Sequence, residues 1–171
     1  MKGRTLFFFL LLLLLPAAAM AGGGIAGEPD PQVGAVAPDF SATAADGRRQ
    51  SLYGLDAGRL TLLLFYDPDC GDCRRELFAL RHAAAVRSAV ADSVLHVMAV
   101  CVGESDTLWQ QSLGEMPAEW TAVKADKGFA DSGLYSLDVL PQMLLLDADR
   151  RIMLLGADTR QLTYVLSRLW E

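Results

Sequence analysis

Phe65-Tyr66-Asp67-Pro68-Asp69-Cys70-Gly71-Asp72-Cys73 is the stretch on which the fold turns. It follows an apolar run, Leu60 to Tyr66, of the kind that forms a central strand covered on both faces. It precedes Arg74 to Val90, where apolar residues recur at helical spacing. Counting from Cys73, Leu77, Leu80 and Ala84 fall on one face, which turns Cys73 inward and leaves Cys70 at the exposed tip. Two thiols three positions apart, where a strand gives way to a helix, can close a small disulfide ring and pass two electrons to another protein. Zinc sites use the same spacing but need about four ligands. The remaining candidates, Cys101, His82 and His96, form no second paired motif, so no metal is expected.

The chain opens Met1-Lys2-Gly3-Arg4, runs apolar from Leu6 to Leu15, and then reads Pro16 to Ala21 with small residues at the end. A basic start, a short apolar core and an A-x-A site predict a secretory signal over residues 1–21. The apolar run falls short of the roughly 20 residues that span a bilayer, so cleavage rather than an uncleaved anchor is expected. The mature chain would then be periplasmic or otherwise exported, with no stable membrane insertion. Residues 22–35, rich in Gly, Pro and Ala, are expected to be a flexible lead-in, and residues 36–171 one domain. Of 15 basic residues, Lys2 and Arg4 leave with the signal, and the 13 that remain face 21 acidic ones. That balance argues against nucleic acid or anionic membrane as a partner. An exported compartment lets a Cys70–Cys73 disulfide persist, yet so short a ring removes little chain entropy. Stabilisation is a poor reason to keep it, which favours redox work.

Along the mature chain, Phe40 to Thr43 and Arg49 to Leu52 flank Asp46-Gly47 and predict a hairpin. Val94 to Val102 reads as a second buried strand, Ser105 or Asp106 as the cap of a helix through Leu113, and Trp120 to Val123 as a short strand. Phe129 to Tyr135 predicts a short helix or turn. Met143 to Leu146 and Arg151 to Leu155 predict a second hairpin, and Thr159 to Trp170 a closing amphipathic helix. This order implies an α/β fold, a mixed sheet with helices on both faces.

With those residues in view, the chain resembles the thioredoxin superfamily, and in particular the exported thiol-disulfide oxidoreductases related to cytochrome-maturation thiol reductases. The likeness covers about Val36 to Trp170. Ala37-Pro38-Asp39-Phe40 with Asp46-Gly47 is similar to the N-terminal hairpin of that branch and of peroxiredoxins. Phe65 to Cys73 matches the active-site strand-turn-helix, and Glu76 the branch's acidic residue three positions past the second cysteine. Leu137 to Met143 resembles the segment around the cis-proline. The resemblance implies a three-layer thioredoxin-like fold with an N-terminal β-hairpin extension. It further implies Cys70 and Cys73 as catalytic pair, Leu140 and Pro141 as substrate-binding residues, and Glu76 as a candidate for proton transfer. No cofactor is implied. The partners would be protein thiols or disulfides and an upstream electron donor.

Three positions depart from the family. Asp69 replaces the Trp before the first cysteine, Gly71-Asp72 replaces Gly-Pro, and Leu64 replaces the buried acid of classical thioredoxins. A helix N-terminus favours the Cys70 thiolate, whereas Asp69 and Asp72 disfavour it, and a less stabilised thiolate makes a less oxidising disulfide. The expectation is an exported oxidoreductase that reduces or exchanges protein disulfides, with Cys73 resolving the mixed disulfide. The alternative is a redox-inert binding module of the same fold. A peroxidase reading fares badly, because the Thr those enzymes place near the reactive cysteine is absent from Asp67-Pro68-Asp69, and superfamily copper carriers use C-x-x-x-C, one residue longer than here. Cys101 is read as a buried inert thiol, His82 and His96 as local packing groups, and Asp67 and Asp69 as shapers of the loop around Pro68.

Overall fold

The computed structural model describes residues 31–56 and 58–169. The expected signal, most of the lead-in and Trp170 lie outside the described residues. Seven strands form one sheet: β1 (Ser41–Ala44), β2 (Arg49–Ser51), β3 (Leu60–Tyr66), β4 (Leu95–Cys101), β5 (Thr121–Lys124), β6 (Gln142–Leu146) and β7 (Ile152–Leu155). Their order across the sheet is β2-β1-β5-β4-β3-β6-β7. The strands β3, β4 and β5 run parallel, and the rest of the ladder is antiparallel. The mixed sheet and the N-terminal hairpin extension are thus as expected, the hairpin adding to the free edge of β5.

Strand β3 sits near the middle, with β4 on one side and β6 on the other. Its continuous apolar run follows from that position, because both faces must be covered. Leu62, Leu64 and Tyr66 enter one core, Leu63 and Phe65 the other, and all five are fully buried. The two layers around the sheet are unequal. Four helices, α1 (Gly71–His82), α2 (Ala84–Ala91), α3 (Asp106–Leu113) and α4 (Thr159–Leu169), bury their apolar residues in the first core. The second core is closed by the segment around Ala37 and Phe40 and by a single 3-10 turn at Ala130–Ser132 with its flanks Phe129 and Tyr135. There Phe40, Phe65, Phe129 and Tyr135 form a ring cluster in which the Phe65 and Tyr135 centroids lie 4.8 Å apart.

Two local readings differ from the structure. The helical period from Arg74 to Val90 is interrupted at Ala83, whose ψ of 117° ends α1 and starts α2. Ala84 is exposed, and Val86 and Ala89 become the buried pair instead, so that α2 packs against α4 and β4. An all-alanine junction, Ala83-Ala84-Ala85, carries no Gly or Pro to signal the break. The end of the lead-in is also tied down. Gly34 N donates to Ile152 O at 2.8 Å, Ile152 N to Ala35 O at 2.9 Å, and Val36 bridges Arg151. Backbone pairing along β7 draws this segment onto the sheet edge despite its small residues.

Candidate active site

The site grows from the turn that joins β3 to α1. Asp67 Oδ1 accepts the Asp69 amide at 2.9 Å, an Asx-type turn around Pro68. Asp67 O accepts the Cys70 amide at 3.0 Å, and Arg74 Nη1 donates to Pro68 O at 2.8 Å. These bonds deliver Cys70 to the N-cap of α1, with φ −76° and ψ 121°, where its sulfur accepts the Cys73 amide at 3.2 Å. A sulfur in that position meets the positive end of the helix dipole and an amide donor. Cys70 is half-buried and Cys73 fully buried behind it. Burial, followed by the hydrogen bond with Cys70, pushes the Cys73 thiol up to about 12. All three cysteines are free thiols in the structure.

Opposite the pair stands the loop before β6. The Leu140–Pro141 peptide is cis, and Cys70 Sγ lies 3.8 Å from Leu140 O as donor to acceptor. Leu140 and Pro141 are half-buried beside the thiol, and Val139 next to them is exposed. The sequence-predicted residues Cys70, Cys73, Leu140 and Pro141 are therefore neighbours. Beside the Pro68 turn, a cavity of about 210 Å³ opens between α1 and α3, walled in part by Pro68, Arg74, Leu77 and Ser112.

Glu76 stands on α1 one turn beyond Cys73 and faces the start of α4. Its Oε1 accepts both the Thr159 amide and the Thr159 hydroxyl at 2.5 Å. Arg75, its neighbour on α1, pairs with Asp72 across one turn. Asp72 thus brings its own counter-charge to the helix start, and Asp69 remains exposed beside Cys70.

Leu64 is fully buried among apolar side chains, so the position of the classical buried acid holds no carboxylate. Asp67 supplies one nearby. Its charge works against ionisation of Cys73, Cys101 and Tyr66, after burial, which is the main cause for all three. The carboxylate rests on Gly103: a Cβ there would stand 2.5 Å from Oδ1 and 2.7 Å from Cγ. In the sequence Asp67 is marked only as a turn former beside Pro68. The absence of an acid at Leu64 was the available signal, but the parallel register that carries Gly103 beneath Asp67 is not visible in the chain.

The remaining polar candidates are local. Cys101 is fully buried, and its thiol is pushed up to about 11 chiefly by burial. His96 Nε2 bonds Thr121 Oγ1 at 2.9 Å, and His82 Nδ1 lies 2.8 Å from Phe78 O. Among the described residues no three His, Cys, Asp or Glu side chains gather as a metal-binding group, and no helix is long and apolar enough to cross a membrane.

The AhpC/TSA family profile matches residues 33–153 of the chain. No curated protein matches it significantly. Among solved structures, a thioredoxin-like protein from Bacteroides caccae shares 28% identity over 81% of this chain with a TM-score of 0.75, and this chain spans 50% of that protein's length. The thioredoxin domain of a thiol-disulfide oxidoreductase from Bacteroides vulgatus superposes with a TM-score of 0.71 at 20% identity, covering 82% of this chain and 99% of that one. A thiol:disulfide interchange protein from a Bacteroides species gives a TM-score of 0.69 at 19% identity, over 81% of this chain and 90% of its own. At those lower identities the likeness is one of fold.

Proposed function

The chain belongs to the AhpC/TSA family of thioredoxin-like proteins, and from that premise we propose that it is an exported dithiol-disulfide oxidoreductase acting on protein thiols through Cys70 and Cys73. The observation that carries this reading is the Cys70 sulfur capping α1, 3.2 Å from the Cys73 amide, with Cys73 buried directly behind it. Cys70 is the half-exposed sulfur and meets the substrate; Cys73 is held as a thiol until the mixed disulfide forms. Cys73 then attacks Cys70, the Cys70–substrate bond breaks, and the substrate sulfur leaves with the electron pair. The substrate disulfide is reduced to two thiols and the Cys70–Cys73 pair is oxidised by the same two electrons; run backwards, the sequence oxidises a substrate dithiol. Leu140 and Pro141 lie where an extended substrate strand would pass over Cys70, and the exposed Val139 offers it an apolar edge.

The test is insulin disulfide reduction by the mature protein with a dithiol donor. Wild-type turnover is expected, with Cys70→Ser and Cys73→Ser both inactive. Cys73→Ser should accumulate a mixed disulfide with substrate and Cys70→Ser should not. A wild type without turnover, whose two thiols both titrate with a small disulfide, would instead identify a binding module.

A further inference from the structure

The sulfur chemistry leaves unused a groove that begins beside Cys70. Gly71, the next residue, lines an open cleft of about 670 Å³ that runs along α1 past Arg74 and Phe78 to Arg81, with Glu115 just beyond α3 on its wall. From Gly71 to Arg81 the helix rises about 15 Å, the span of about four or five residues of extended chain. Arg74, Arg81 and Glu115 also line the cavity of about 210 Å³ between α1 and α3, whose wall includes Leu77, Leu108, Met116 and Trp120. The open cleft therefore adjoins an apolar recess.

Charge in the groove runs against that of the chain. The chain carries 21 acidic and 15 basic residues, but the cleft is lined by three arginines, Arg74, Arg75 and Arg81, and one carboxylate, Glu115. Arg81 pairs with Glu115 at 3.1 Å, and Arg75 with Asp72. Arg74 donates to Pro68 O at 2.8 Å and forms no ion pair among the described residues, so its position is fixed and its charge unanswered. Asp69, exposed beside Cys70, lines neither cavity. Phe78 is 56% exposed yet braced: the His82 ring lies 4.2 Å away between centroids, and the Arg81 guanidinium 5.1 Å from the Phe78 centroid. An exposed aromatic already fixed on a helix loses little freedom when a partner covers it.

Resting on the redox reading above, we propose that this groove seats the segment of substrate polypeptide beside its reactive sulfur, and that it selects an acidic segment carrying one apolar side chain. The apolar side chain enters the recess over Leu77 and Met116. A carboxylate at the rim meets the Arg74 guanidinium, which keeps spare N–H donors beyond the one given to Pro68 O. Leu140 and Pro141 line neither cavity, so the groove adds a contact that the cis-proline loop does not make.

The test is the rate at which Cys70, in the mature chain with Cys73→Ser, is modified by short peptides activated as aromatic disulfides, followed by the coloured thiolate released. Any accessible thiol undergoes this reaction, so it reads recognition apart from turnover. One peptide has a Leu between two Glu next to its cysteine, and the other has Lys in place of each Glu. Each rate is divided by that for a neutral aromatic disulfide, so a change in the reactivity of Cys70 itself cancels. The net negative charge of the chain alone favours the Lys peptide. With the groove occupied as proposed, the Glu peptide should instead react at least about five-fold faster at low salt, falling to within about two-fold at about 1 M salt. Arg74→Gln combined with Arg81→Gln should abolish the preference. Glu115→Gln, which removes the groove's own carboxylate, should widen it by about two-fold, a gain that misfolding cannot imitate. Replacing the peptide Leu with Gly should slow the Glu peptide. A faster Lys peptide, a preference untouched by the arginine substitutions, or a dimer of the chain that Phe78→Ser dissolves, overturns the inference. A Glu preference of the expected size in a protein that fails to turn over insulin contradicts the redox reading and leaves the selectivity of the groove standing.

Discussion

Replacing Glu76 with Ala removes the carboxylate bonded to the first residue of α4. Two donors, the Thr159 amide and hydroxyl, lose an acceptor held at 2.5 Å from each. A hydrogen bond to a charged group contributes about 1.5–3 kcal/mol, and an acid at a helix N-terminus about 0.3–1 kcal/mol. The site is half-buried and water can replace part of what is lost, so a net cost of about 2–3 kcal/mol follows, below the sum of the parts. For a domain of this size, that corresponds to a fall of about 4–12 °C in Tm. Glu76→Gln keeps an acceptor and loses the charge, and should cost about 1 kcal/mol. Urea denaturation of the reduced proteins, followed by circular dichroism, measures both. The loss should be concentrated in α4, with early hydrogen-exchange opening around Leu162 and Leu166, the residues α4 buries. A Glu76→Ala variant within about 0.5 kcal/mol of wild type would refute the view that this carboxylate fastens α4 to the active-site helix.

Phe65→Ala empties the centre of the four-ring cluster between β3 and the 3-10 turn and should cost about 3–5 kcal/mol by chemical denaturation. His96 is held below its ordinary value of 6.5, first by burial and then by Arg59, with Asp56 opposing. The unfolded chain therefore takes up this proton more readily, and stability should fall as pH drops from 6.5 toward the lower folded value; His96→Gln should flatten that slope in a urea series. Cys73 and Cys101 are raised from 9.0 to about 12 and about 11, each mainly by burial. Above pH 9 the unfolded chain loses these protons and the folded one keeps them, so the reduced protein should lose stability as pH rises from 9. Oxidation of the Cys70–Cys73 pair removes one of the two groups, so the oxidised protein should show the shallower decline.

The parts of this structure that follow local rules were legible in the chain. The apolar run Leu60 to Tyr66 has no polar alternation because β3 is flanked and covered on every side, and Asp46-Gly47 marks the hairpin that joins β1 to β2. Ser105 caps α3 by accepting the Leu108 amide, as its place before an apolar-periodic segment implies. Cys73 faces inward because the helical period starting from it is apolar. What escaped depends on tertiary register. The α1–α2 break serves packing on α4 and β4, and nothing in Ala83 to Ala85 announces it. The placement of Glu76 beside Thr159 joins residues 83 positions apart. Gly103 beneath Asp67 follows from the parallel pairing of β3 with β4, which no short window of sequence encodes.

The central claim is that Cys70 and Cys73, and no other pair, form a reversible disulfide. Titrating the reduced mature protein with oxidised glutathione, then alkylating under denaturing conditions and mapping the peptides by mass spectrometry, tests it directly. Two thiols should disappear together, with Cys70 and Cys73 recovered in one linked peptide and Cys101 alone alkylated. A bond to Cys101, or three alkylated cysteines at oxidising poise, would contradict it.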